Sequence, residues 1–198
     1  MSVALVVGNG ESRANIDISK FSLDYTIIGC NALHRDLRLD DLVCCDRRMA
    51  EEAVMSENTK GTKIYVRSNW YNYFRKIRKD KRINEVPELP YQGELKADQP
   101  IHWGSGPYAV LLAAQNYDSI LLLGFDLYPS NDKVNNMYKG TKNYSSPDSK
   151  PVDPNFWIYQ IAKVFENYPE KDFIIWNKKD WKFPREWEFD NVRFEEIE

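Results

Sequence analysis

Short apolar runs stopped by turn-forming residues recur along the chain at residues 3–7, 25–29, 42–45, 63–66, 120–124 and 173–176. Their apolarity is continuous rather than alternating, which predicts strands covered on both faces and so a largely parallel sheet. Helices are predicted over residues 47–55, 106–117 and 155–168, the second with Pro107 in its first turn, where a missing N–H is harmless. Strands alternating with helices predict an α/β fold: one Rossmann-like domain over residues 1–198, with a mostly parallel central sheet flanked by helices. Two segments do not fit the sheet, 68–103 and 129–154. Long irregular stretches of this kind are expected to be lid-like insertions near the carboxyl ends of the strands, where ligands bind in open α/β sheets.

Composition narrows the function classes. A chain of 198 residues suits one α/β domain and is short for two. A net charge of −3 speaks against a polyanion binder, so nucleic acid is not an expected partner. Cys30, Cys44 and Cys45 are odd in number and two are adjacent, which fits neither a zinc site nor a disulfide framework. Buried free thiols in a reducing, cytoplasmic compartment are the expectation, and no apolar run is long enough to span a bilayer. The unusual feature is the 14% aromatic content. Part of it falls in the carboxyl-terminal segment, which is expected to pack over a sheet edge.

Candidate chemistry clusters at the predicted strand ends. "GNGES" follows the first strand, so the N–H groups around Gly8, Asn9 and Gly10 and the Ser12 hydroxyl are candidates to receive a phosphate; a plain tight turn explains the glycines as well. Asn31 and Asp46 stand just past the second and third strands, where each can cap a helix or meet a polar ligand. "HWGSGPYAV" puts Ser105 and Gly106 at a helix amino terminus, and "LLLGFDLY" carries Asp126 and Tyr128 out of a strand together. Ser105 as an N-cap and Asp126 as a turn acid are the structural alternatives.

In this order and spacing, "VVGNGESR", "IIGCNAL", "VCCD" and "SGPYAVLLAAQNYDSILLLGFDLY" resemble the bacterial lipooligosaccharide sialyltransferases of glycosyltransferase family 42. The resemblance implies a metal-independent enzyme that moves a sugar from CMP-sialic acid to a glycan acceptor. It implies Gly8, Asn9 and Gly10 near the CMP phosphate, Asn31 on the nucleotide or sugar, and Ser105 on the sialic acid carboxylate. Tyr128 and a lid tyrosine, Tyr138 with Tyr144 in reserve, would donate to the departing phosphate, as two phenol donors can in place of a metal.

Departures from the family pattern are equally specific. The family's lid histidine has no counterpart in 129–154, and Asp148 falls near its position. His102 stands where the family has an arginine and is the other candidate base; His34 lies beyond the Asn31 turn. Asp46 replaces an asparagine and would read a ribose hydroxyl, unless the donor is different. The archaeal 6-hydroxymethylpterin diphosphokinase-like proteins share a Gly-Asn-Gly-type turn, and under that alternative Asp46 and Asp126 would hold magnesium. A third reading is a nucleotide-binding protein without turnover. The basic, aromatic stretch "NWYNYFRKIRKDKR" is expected to form a helix with Trp70, Tyr73, Phe74 and Ile77 on one side, serving as a solvated face, an anionic docking surface or a homo-oligomer contact.

Overall fold

The computed structural model describes residues 2–197. The strands are β1 (Val3–Val7), β2 (Thr26–Cys30), β3 (Asp41–Val43), β4 (Lys63–Val66), β5 (Ile83–Glu85), β6 (Ser119–Leu123), β7 (Asp172–Asn177) and β8 (Val192–Glu196). The α-helices are α1 (Arg47–Met55), a single turn α2 (Ser68–Tyr71), α3 (Ser105–Asn116) and α4 (Asn155–Asn167). One eight-stranded sheet has the order β5-β4-β3-β2-β1-β6-β7-β8, and every pairing is parallel.

Alternate residues of each central strand feed two separate cores. Ala4, Val6, Ile28, Ile120 and Leu122 pack with α3 and α4 on one face. Leu5, Val7, Ile27, Leu121 and Leu123 pack on the other, with α1 and short 3-10 turns. Burial on both faces is why these runs carry no alternation. α3 follows the same logic as a helix: Pro107 to Ala114 are all buried, so it crosses the sheet as an interior element.

Two strands lie outside the predicted set, and both are edges. β5 belongs to the segment 68–103 and has one buried residue, Ile83, too little apolarity to register as a run. β8 is largely exposed, and its Arg193 and Glu195 place charge on the outer edge, a usual guard against edge-to-edge pairing. The basic stretch is also less helical than expected. α2 passes into a π-helical turn at Asn72–Ile77, which buries Phe74 but leaves Ile77 exposed and Trp70 and Tyr73 half-buried.

The carboxyl-terminal aromatics do pack at the β7–β8 side. Trp187 is fully buried, donates its indole N–H to the Ile158 carbonyl of α4 at 3.0 Å, and meets Phe165 edge-on at 5.4 Å. Trp181 donates to the Asp126 carbonyl at 2.8 Å, so this layer also buttresses the turn that leaves β6. Trp187→Ala should lower the unfolding free energy by about 3–5 kcal/mol, measured as a fall in urea midpoint with an unchanged slope.

Candidate functional site

Strand order reverses at β1, with β2 on one side and β6 on the other, and at the carboxyl ends of these strands lies a cavity of about 310 Å³. Its walls are the Gly8–Asn9–Gly10 turn after β1, Asn31 after β2, Asp46 after β3, Arg67 after β4, the opening of α3 at Ser105 and Gly106, and Asp126 after β6. Trp157 of α4 and Asn135 and Asn136 of the insertion close it. A second cavity of about 320 Å³ adjoins it beneath the insertion, lined among others by Tyr128, Tyr144 and Lys150.

The Gly-Asn-Gly turn is not an open cradle of donors. Gly8 N–H bonds the Leu123 carbonyl at 2.8 Å and Gly10 N–H the Gly124 carbonyl at 2.9 Å. Glu11 N–H is taken by Asn135 Oδ1 at 2.9 Å and Ser12 N–H by Asp126 Oδ2 at 2.8 Å. The glycines are required by close approach: a Cβ on Gly8 would fall 2.4 Å from the Gly124 carbonyl oxygen, and one on Gly10 would fall 2.3 Å from the Asp126 carboxyl carbon. Ser12 likewise faces the protein, its hydroxyl donating to Asp126. This buried carboxylate is thereby a structural acceptor that joins the β1 and β6 turns.

Asn9 uses its side-chain N–H groups on the Cys30 carbonyl at 3.2 Å and the Tyr144 hydroxyl at 3.0 Å. Its Oδ1 is buried with no partner, a loss of about 1–3 kcal/mol unless a ligand donor fills it. Asn31 adopts φ 51°, the left-handed conformation that asparagine tolerates at a sharp turn. A relay then crosses the site: Cys45 N–H donates to Ser105 Oγ at 2.9 Å, and Ser105 donates to Asn31 Oδ1 at 2.8 Å. It ties the ends of β2 and β3 to α3 and leaves the Asn31 amide N–H groups without a protein partner among the described residues. Ser105 and Gly106 open α3, so their N–H groups have no acceptor within the helix and stand at the cavity wall.

Arg67 is the cation that sequence reading missed. Its guanidinium bonds the Cys45 carbonyl at 3.1 Å and the Ile101 carbonyl, which fixes it at the cavity beside the α3 terminus. One arginine at a strand end carries no sequence signal, because its neighbours come from three distant segments. Trp103 and Trp157, which also line the cavity, were hidden for the same reason.

Three of the expected catalytic residues lie elsewhere. His102 is exposed and lines neither cavity; its carbonyl, not its ring, is engaged, by Gln160. Asp148 is exposed on the insertion and pairs with Lys133 at 3.2 Å. Tyr138 is buried away from both cavities, where its hydroxyl accepts from Arg13 at 3.1 Å and donates to Asp36. Burial pushes its phenol well above the usual range. Tyr144, the reserve tyrosine, and Tyr128 are the two that line the second cavity.

Positioning of Asn31 depends on His34, buried one turn on, whose Nδ1 lies 2.8 Å from the Asn31 carbonyl and fits a neutral ring donating there. Burial lowers the pKa of His34, outweighing the Asn31 bond and nearby Glu52, which favour the charged ring. The unfolded chain therefore takes up the proton first as pH falls. The His34 contribution to stability should be whole above the ordinary value of about 6.5 and decline as pH drops toward the lowered folded value. Urea midpoints should show this slope in the native chain and lose it in His34→Gln. Gly8→Ala should cost about 1–3 kcal/mol in the same measurement, because the clash is with backbone.

No family model matches the chain, and no curated protein matches it. Among solved structures the fold is similar to the sialyltransferase CstII from Campylobacter jejuni, determined in complex with a substrate analogue, cytidine-5'-monophosphate. The two align with a TM-score of 0.55 at 16% sequence identity, over 88% of this chain and 79% of that one. At this identity the likeness establishes the α/β Rossmann-like fold.

Proposed function

We propose that the protein binds a nucleotide-activated sugar, CMP-sialic acid or a similar donor, in the switch-point cavity and transfers the sugar to a glycan acceptor. The observation that carries this reading is the convergence of the α3 terminus, Arg67, Asn31 and Asn9 on one cavity of about 310 Å³. A helix terminus and a fixed guanidinium suit a phosphate, and the two asparagines suit a base or ribose. The fold likeness to a CMP-bound sialyltransferase adds support. In this reading Tyr128 and Tyr144 donate to the leaving phosphate, Tyr144 taking the place first given to Tyr138.

Asp126 already accepts from the Ser12 N–H and hydroxyl, which favours metal-independent binding over a magnesium site shared with Asp46. A binding protein without turnover is favoured by a different fact: among the described residues, no histidine lines either cavity.

Calorimetry with CMP, CMP-sialic acid, ATP and GTP, each with magnesium and with EDTA, tests the proposal. The cytidine ligands should bind at least about tenfold tighter than the purine nucleotides, with no need for magnesium. Asn31→Ala should weaken CMP by about tenfold, the worth of one or two lost hydrogen bonds. No cytidine binding, or binding only with magnesium, would overturn it.

A further inference from the structure

The two cavities share a wall formed by Asn31, Asp46, Leu127, Asn135, Asn136 and Trp157. Of these, Asp46 alone carries a titratable side chain. It holds the N-cap position of α1 yet makes no side-chain cap bond there. Its carboxylate is exposed and, among the described residues, has no hydrogen bond and no ion pair. A carboxylate that leaves the cap unmade and stands free where two cavities meet is placed for a ligand. The other carboxylate lining the first cavity, Asp126, is bonded to Ser12.

We propose that the second cavity receives the acceptor and that Asp46 is the general base acting on its hydroxyl, an inference resting on the donor reading above. The acceptor oxygen forms a bond to the anomeric carbon while its proton passes to the Asp46 carboxylate. The anomeric carbon–oxygen bond to CMP breaks, and its electron pair leaves on the phosphate oxygen. Attack from the side opposite CMP inverts the anomeric configuration, and the proton then passes from exposed Asp46 to solvent.

The surroundings suit a charged base. From the end of β4, Arg67 brings a positive charge to the first cavity, which offsets the repulsion between Asp46 and a donor phosphate. The insertion contributes Lys150 and Tyr144 to the second cavity, and the turn after β6 contributes Tyr128. The adjacent Cys45 thiol is buried and stays protonated, its pKa pushed up to about 12, chiefly by desolvation. Arg47, next in the chain, is turned to Glu51 at 2.9 Å and stacks on Tyr73 at 4.7 Å. α3 and α4 present no charged group to either cavity.

The experiment follows CMP release from CMP-sialic acid, with lactose as acceptor probe and with water alone, beside CMP calorimetry on the same preparations. Asp46→Asn keeps a residue able to cap α1. It should lower kcat by about 100-fold or more while the Kd for CMP changes by less than about threefold. Formate should restore part of the turnover of Asp46→Ala. Turnover in Asp46→Asn within about threefold of the native chain, or native protein that binds CMP and releases none from the donor, would overturn Asp46 as base. Failure of CMP to bind would overturn the donor reading, and this inference with it.

Discussion

The docking of the β1 turn against the β6 turn is the contact on which the site depends. Two backbone hydrogen bonds, Gly8 to Leu123 and Gly10 to Gly124, bring the turns together, so that a Cβ on Gly8 would strike the Gly124 backbone and one on Gly10 the Asp126 carboxylate. Arg13, buried beneath, donates to the Gly8 carbonyl at 2.7 Å, and Ser12 donates twice to Asp126. These bonds take the N–H groups of Gly8, Gly10 and Ser12, which such a turn would otherwise offer a phosphate. The burden of anion binding then passes to the α3 terminus and Arg67 on the facing wall, where unpartnered N–H groups and a fixed positive charge stand together.

The insertion is held over this floor by a second set of polar contacts. Arg35 makes a two-pronged bond to Glu52, at 2.6 and 2.9 Å, and with the same guanidinium donates to Thr141 and to the Lys142 carbonyl. Glu52 in turn accepts from Asn143 at 2.7 Å. The Arg35 guanidinium also stacks on Tyr138 and Tyr144. The result sets the Tyr144 hydroxyl against Asn9 and roofs the second cavity. Lid and floor are thus coupled through side chains, and through one backbone bond from Met137 N–H to the Asn9 carbonyl at 2.9 Å, rather than through the sheet, and this coupling makes two cavities with a common wall.

Much of this architecture can be read from residue order alone. The strand Val3–Val7, the strand Lys63–Val66 and the helix Arg47–Met55 have the predicted bounds, because each is limited by a sharp change in polarity that local physics enforces. The edge strands β5 and β8 escape such reading, since a strand buried on few residues is stabilised by its neighbour's backbone rather than by its own composition. The strand-end residues Asn9, Asn31, Asp46 and Ser105 are likewise visible, for a parallel sheet brings its carboxyl ends to one side whatever the details.

Sequence by itself therefore determined the fold class, the central strands, and which strand ends meet at the crevice, all of which follow from periodicity and from the rule that parallel strands point one way. Only the tertiary structure decided which polar groups remain free there. Ser12 and Asp126 satisfy each other, Tyr138 is spent on Arg13 and Asp36, and His102 and Asp148 face away. Asp46 and Arg67 reach the cavity. A side chain's availability depends on partners more than a hundred residues away, as with Ser12 and Asp126, and no local pattern encodes such a pairing.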